Sequence, residues 1–184
     1  MTTLDRAPTS TELPTPTPWF ETVHERLKAH DVRLIAHIPD QVLAPLIRRI
    51  EADDFFEVVR LTREEEGVGI LSGGYLGGLR GALLMQSSGL GNSVNALGGL
   101  PISYQIPFLL IVSPRGRLSE FNPSQVPMGQ AVPKVLDALG IETVILERQE
   151  GLAEQLDQSA KTCFSTSRPL ALIVSTLLSG GKRG

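Results

Sequence analysis

An α/β sandwich with a central, mostly parallel six-stranded sheet is the fold class this sequence predicts, and three features predict it. Short apolar runs alternate with segments of helical period along nearly the whole chain. The run Pro107–Ser113 is apolar nearly throughout, as a strand covered on both faces should be. The spacing between runs leaves room for helical crossovers, which join parallel neighbours and lay helices on both faces of one sheet in three layers.

The elements follow in order. Residues 1–17 are Thr/Pro-rich with little to bury and read as a disordered or loosely attached arm, leaving 18–178 as the domain. Trp19, Phe20, Val23 and Leu27 give a helical period to about His30. Val32–Ile38 is the first strand, stopped by Pro39 and Asp40, and a helix runs from about Gln41 to Glu51, with Pro45 marking where it properly begins. Phe55–Leu61 is the second strand, Thr62 to about Leu79 the next helix, and Ala82–Gln86 the third strand. Ser87–Gly91 reads as a turn leading to a helix from about Asn92. After the fourth strand at Pro107–Ser113, Arg115–Met128 is a long polar loop of the kind that often carries function. Gly129–Leu139 is a helix closed by Gly140, Glu142–Leu146 a fifth strand, Gly151–Phe164 a helix and Pro169–Ser175 a sixth strand. Residues 179–184 form a loose tail.

Composition narrows the function classes. A net charge of −3 gives no electrostatic reason to expect nucleic acid or an anionic membrane as partner. The single Cys163 excludes an internal disulfide and a multi-cysteine metal cluster, and fits a reducing cytoplasm. No apolar run approaches the roughly 18–20 residues of a membrane span. Gly89-Leu-Gly91 opens like a dinucleotide fingerprint, but the third glycine position falls at Val94, and a phosphate-loop GKS or GKT triplet is absent.

Ligands of open α/β sheets bind beyond the carboxyl ends of the strands. That edge collects Asp40, the Thr62–Glu65 segment, the Ser87–Asn92 turn and the loop from Arg115. Thr62 and Glu65 have the spacing of a capping box, which would expose the Glu65 carboxylate and lower its pKa. Six glycines from Gly67 to Gly78 share the helix that follows. Each costs on the order of 0.5–1 kcal/mol against alanine, which close approach of another backbone or a flat ligand would offset.

Glu65, Tyr75 ten residues on, and then a strand running into MQSSGLGNSVNAL resemble the pyrimidine-binding domain of thiamine diphosphate-dependent 2-oxo acid decarboxylases. The likeness is nearest to sulfopyruvate decarboxylase alpha subunits and phosphonopyruvate decarboxylases, and runs from about residue 19 to 176. Ile38-Pro-Asp40, Arg115-Gly116 and Pro127-Met-Gly129 support it, while Gln-Ser-Ser stands where Gln-Asn-Ser is usual. The resemblance implies the thiamine diphosphate-binding fold and a lyase that decarboxylates a small 2-oxo acid. It implies that Glu65 contacts the aminopyrimidine ring of thiamine diphosphate and exchanges a proton with it, so that burial should raise its pKa. Ser88, Gly89, Leu90 and Asn92 would line that ring. Asp40 would act as proton donor or substrate orienter, unless it caps the next helix. Arg115 would clamp an anionic tail. His37 would either contact substrate or pack against the sheet.

Family members hold the diphosphate through Mg2+ bound by a Gly-Asp-Gly motif, which this chain lacks, so no metal-ligating residue is assigned. The resemblance therefore implies an alpha-type subunit in a hetero-oligomer, with the magnesium held by a separate beta-type subunit. A carboligase subunit, or a non-catalytic regulatory domain that kept the fold, are the alternatives.

Overall fold

The computed structural model describes residues 17–117 and 120–181. The arm expected over residues 1–17 falls, but for Thr17, outside them, as do residues 182–184 of the tail.

Six strands form one all-parallel sheet: β1 (Val32–His37), β2 (Glu57–Arg60), β3 (Arg80–Gln86), β4 (Leu109–Ser113), β5 (Glu142–Leu146) and β6 (Leu170–Val174). Their spatial order is β2-β1-β3-β4-β6-β5. The helices are α1 (Trp19–Ala29), α2 (Ala44–Glu51), α3 (Glu64–Leu76), α4 (Ser87–Leu97), α5 (Val126–Ala138), α6 (Leu152–Thr166) and the single turn α7 (Thr176–Ser179). A π-helical turn, Gly98–Ile102, extends α4, and a 3-10 turn, Pro123–Gln125, leads into α5.

Strand alternation sorts the core into two layers. Ala82 and Leu84 of β3, with Leu109 and Ile111 of β4, pack under α1, α2 and α6. Leu83 and Met85, with Leu110 and Val112, pack under α3, α4 and α5. The two central strands are buried at nearly every position, which is why their sequences read as unbroken apolar runs. In β1 the pairing register shifts between Val32 and Leu34, so Val32 and Ile35 face one layer, Leu34 and Ala36 the other.

From β1 the chain crosses outward to β2 and then back past β1 to β3. The connections therefore run in opposite directions on either side of the β1/β3 pair. A crevice at the carboxyl ends of such a pair is where open α/β sheets place ligands.

Element boundaries differ from the sequence reading in two places that matter. α4 begins at Ser87, directly after β3, with no intervening turn: Gln86 is still extended (φ −90°, ψ 171°) and the helix starts at the next residue. The loop after β4 is also shorter than expected, because α5 begins at Val126 rather than Gly129. Ser179, expected in the tail, closes α7.

Candidate active site

Glu65 sits at the second position of α3, at the carboxyl edge of the sheet. Its side chain is 40% exposed, and Oε1 lies 3.1 Å from Nε of Arg63. The expected capping box is shifted by one residue. Thr62 Oγ1 donates to Glu66 at 2.8 Å, and the backbone N–H groups of Thr62 and Arg63 donate to the same carboxylate at 3.2 and 3.4 Å. These donors hold the Glu66 carboxyl below its usual range, the Thr62 hydroxyl contributing most. Glu66 serves the helix terminus, and Glu65 is released from that duty. The burial expected of Glu65 is absent in the single chain, because the face it shares is open to solvent. Gly69 and Gly73 follow at four-residue intervals on that face, and a side chain added at either would meet nothing within 4 Å.

Glu64, one residue earlier, turns inward and is 8% exposed. Its carboxyl group lies against Gly89, in the space a Cβ there would take, so Gly89 lets the first turns of α3 and α4 come together. This is a requirement of close packing. Leu90, expected in the ring-binding set, has its side chain wholly buried in the core beneath α3–α5. Ser88 and Asn92 are on the accessible side of α4. Ser88 Oγ donates to Gln125 Oε1 at 2.9 Å, tying the start of α4 to the turn before α5.

Asp40 is half-buried, and Oδ1 accepts from Val42 N (3.0 Å), Leu43 N (2.9 Å) and Ser113 Oγ (3.0 Å). It thus stops the chain after β1 and also fastens that loop to the end of β4. His37 is fully buried on the α2 side of β1, with Nε2 3.5 Å from Glu51 Oε1. Burial holds its pKa below 6.5. Of the two expectations for His37, contact with substrate or packing against the sheet, it has the burial of the second, in the layer under α2.

Arg115 lies at the start of the loop after β4. It is not a free cation: Nε and Nη2 each donate to the Glu120 carboxylate at 2.7 Å, and both side chains are nearly buried. The Glu120 carboxylate accepts two further bonds, from Gly116 N (3.0 Å) and Asn122 N (2.9 Å). These four donors, the guanidinium first among them, hold its pKa at about 2. Arg115 N in turn donates to Ser87 Oγ at 3.1 Å. Gly116 has φ +67°, which favours glycine, and Gly129 lies so close to the Arg115 carbonyl that a Cβ would overlap it. The Arg-Gly and Pro-Met-Gly segments therefore interlock across the base of the loop.

Sequence reasoning missed Glu64, Glu120 and Gln125. Glu64 and Gln125 carried no signal beyond their neighbours, and the five-residue step from Arg115 to Glu120 matches no helical or strand period. Among the described residues, no group of three or more His, Cys, Asp or Glu is placed to hold a metal ion. No helix among them is long and apolar enough to cross a membrane.

No protein-family profile matches the chain. Curated relatives do. The sulfopyruvate decarboxylase alpha subunit of Methanocaldococcus jannaschii is 38% identical over 155 residues, covering 84% of this chain and 92% of that one. The subunit of the same name from Methanococcus maripaludis is 34% identical over 157 residues, covering 85% and 94%. Among solved structures, 2-oxoglutarate:ferredoxin oxidoreductase from Magnetococcus marinus superposes with a TM-score of 0.68 over 89% of this chain and 29% of that chain. Its sequence identity of 10% makes this a likeness of fold alone. Identity at this level over almost the full length of both chains settles the family: the chain belongs to the sulfopyruvate decarboxylase alpha subunits.

Proposed function

We propose that this chain supplies the pyrimidine-binding half of a thiamine diphosphate site in a decarboxylase of a small 2-oxo acid bearing a second anionic group. The other half, with the diphosphate and its Mg2+, belongs to a beta-type partner subunit. The observation that carries the reading is Glu65: a carboxylate at the β1/β3 crevice, relieved of capping by Glu66, facing solvent along an open glycine-lined helix face. An open face beside a carboxylate fits one flank of a flat heteroaromatic ring, with Ser88 and Asn92 of α4 as neighbouring polar groups. When bound, the cofactor supplies the reactive carbon and the electron sink for loss of carbon dioxide.

This chain's own contribution is proton management and orientation. Glu65 holds a proton at its carboxyl oxygen for exchange with a ring nitrogen, a task that requires the Arg63 ion pair to open. Docking of the partner over α3 would bury Glu65 and disfavour its ionised form, moving it toward that role. Asp40, fixed through Oδ1 by three donors, orients substrate at the end of β1. Arg115, anchored beside it, faces the anionic tail.

Reconstitution with the partner subunit tests the assignment. Glu65→Gln should lower kcat by about 10²–10⁴-fold, the range for losing a positioned acid–base group. Assembly by size exclusion should be unaffected. A variant complex that retained most of its rate would remove Glu65 from the proton path. Carbon dioxide release without carbon–carbon bond formation separates decarboxylation from carboligation.

A further inference from the structure

Arg115 and Glu120 together set the charge beside the end of β4. The bidentate contact uses the Nε/Nη2 edge of the guanidinium, and no hydrogen bond from Nη1 to another described residue accompanies it. Glu120 cannot simply swing away. Gly116 N and Asn122 N hold it from the backbone in addition to the arginine. Arg115 is equally fixed, by the bond from its N–H to Ser87 and by the contact of its carbonyl with Gly129. Asp40 is near enough to act on the Arg115 charge. Arg115, Glu120 and Asp40 thus place one cation and two carboxylates together, all at least half-buried, where charge is screened little by solvent, while Arg117, in the same turn as Glu120, is exposed.

We infer that Glu120 is a specificity-determining residue, which presents the Nη1 edge of Arg115 to the substrate tail and offsets its charge, so that a tail with one negative charge is preferred to one with two. A sulfonate keeps a single charge; a phosphonate carries two above its second ionisation. Each negative charge on the tail meets the same carboxylates, so the second is opposed again. This inference rests on the proposed function, because Arg115 as tail contact is part of it. Glu120 acts through Arg115 and is a positioning residue, not a catalytic one.

The test uses the reconstituted complex and two unreactive mimics without the oxo group, 3-sulfopropionate and 3-phosphonopropionate. Binding is measured by titration calorimetry at about pH 9, above the second phosphonate ionisation, which lies higher than the roughly pH 6 of phosphate esters because carbon withdraws less charge than an ester oxygen. The native complex should favour the sulfonate. Glu120→Gln removes one charge and should shift the preference toward the phosphonate by about tenfold, as one charge at close range in a partly screened site would. Glu120→Asp keeps the charge while shortening the reach, and should weaken both mimics and leave their ratio unchanged. Equal weakening of both mimics by Glu120→Gln overturns the role given to Glu120, as does absence of binding of either mimic to the native complex. Carbon dioxide release from sulfopyruvate by the same native preparation is recorded beside it. A complex inactive there overturns the proposed function, whereas an active complex with an unmoved ratio overturns only the inference about Glu120.

Discussion

Gly129 and Gly69 are the same residue type with opposite reasons for being there. A Cβ on Gly129 would run into the Arg115 carbonyl, backbone against backbone, where neither can yield. A Cβ on Gly69 would point into open space on a helix. Gly129→Ala should therefore destabilise the isolated chain by about 3 kcal/mol, the upper part of the range for overpacking. Gly69→Ala should be stabilising by about 0.5–1 kcal/mol. Urea unfolding of the two variants checks both signs. In the sequence the glycines of α3 looked like one group. Gly67 and Gly74, seven apart, pack beneath Leu83 and Leu34, while Gly69 and Gly73, four apart, face outward. Composition showed the density of glycines, but only placement of the helix on the sheet could say which face each served. Cys163, on the buried face of α6, has its thiol pushed up to about 12 by burial. A thiol reagent should leave it unmodified in the native chain and react in step with unfolding.

At the scale of elements, the helices and strands were legible because burial imposes period, and their ends were not. The third helix was recognised from its apolar positions, yet its first turn was misread. Thr62-Arg-Glu-Glu-Glu offers two acids at usable spacing, and the extended conformation of Arg63, not the sequence, selects Glu66. The start of α4 was misplaced for a related reason. Ser-Ser-Gly has turn composition, but Glu64 fills the side of Gly89, and the helix can begin at once.

The α1–α2 pairing carries its own electrostatics. Asp53, just past α2, accepts from Lys28 Nζ (2.7 Å) and His24 Nε2 (2.9 Å) of α1, and Arg49 approaches it at 3.9 Å. Lys28 first, then the Phe55 N–H, hold Asp53 at about 2, below its usual 3.8. Burial, seconded by Arg49, holds His24 below 6.5. Both shifts have the same sign for stability. A depressed histidine is neutral in the fold and charged in the unfolded chain as pH falls below 6.5, so stability declines from there. Asp53, and Glu120 at the other edge, add a second loss between about 4 and about 2. The urea midpoint followed against pH should fall in these two stages. His24→Phe should lessen the upper stage, leaving the part due to the buried His37, and slightly reduce the lower one through the lost bond to Asp53.

For the molecule as a whole, the all-parallel sheet explains why residues from distant parts of the sequence meet. Every strand points its carboxyl end the same way, so Asp40, Glu65, Ser88 and Arg115 arrive at one edge from four successive connections. That convergence could be read from the alternation of elements. The ion pair that fixes Arg115 could not, because it lies within an aperiodic loop. Partner docking is best tested along α3, where Leu76 is 78% exposed and Ile70 37%. Leu76→Glu should alter the stability of the isolated chain by less than about 0.5 kcal/mol, as surface changes do. It should also prevent co-elution with the partner subunit. A variant that assembled normally would place the interface elsewhere.

The crossing of Gly116 and Gly129 has a consequence for how this fold can change over time. Both ends of the intervening segment are pinned by backbone contact, so its length adds little to the entropy of closing it, about 0.6 kcal/mol for each doubling. The strand before it and the helix after it are held by the crossing itself. Apart from Glu120, which pairs with Arg115, Gln125, which is tied to Ser88, and the first turn of α5, residues between the two glycines can thus be exchanged while the scaffold stays folded.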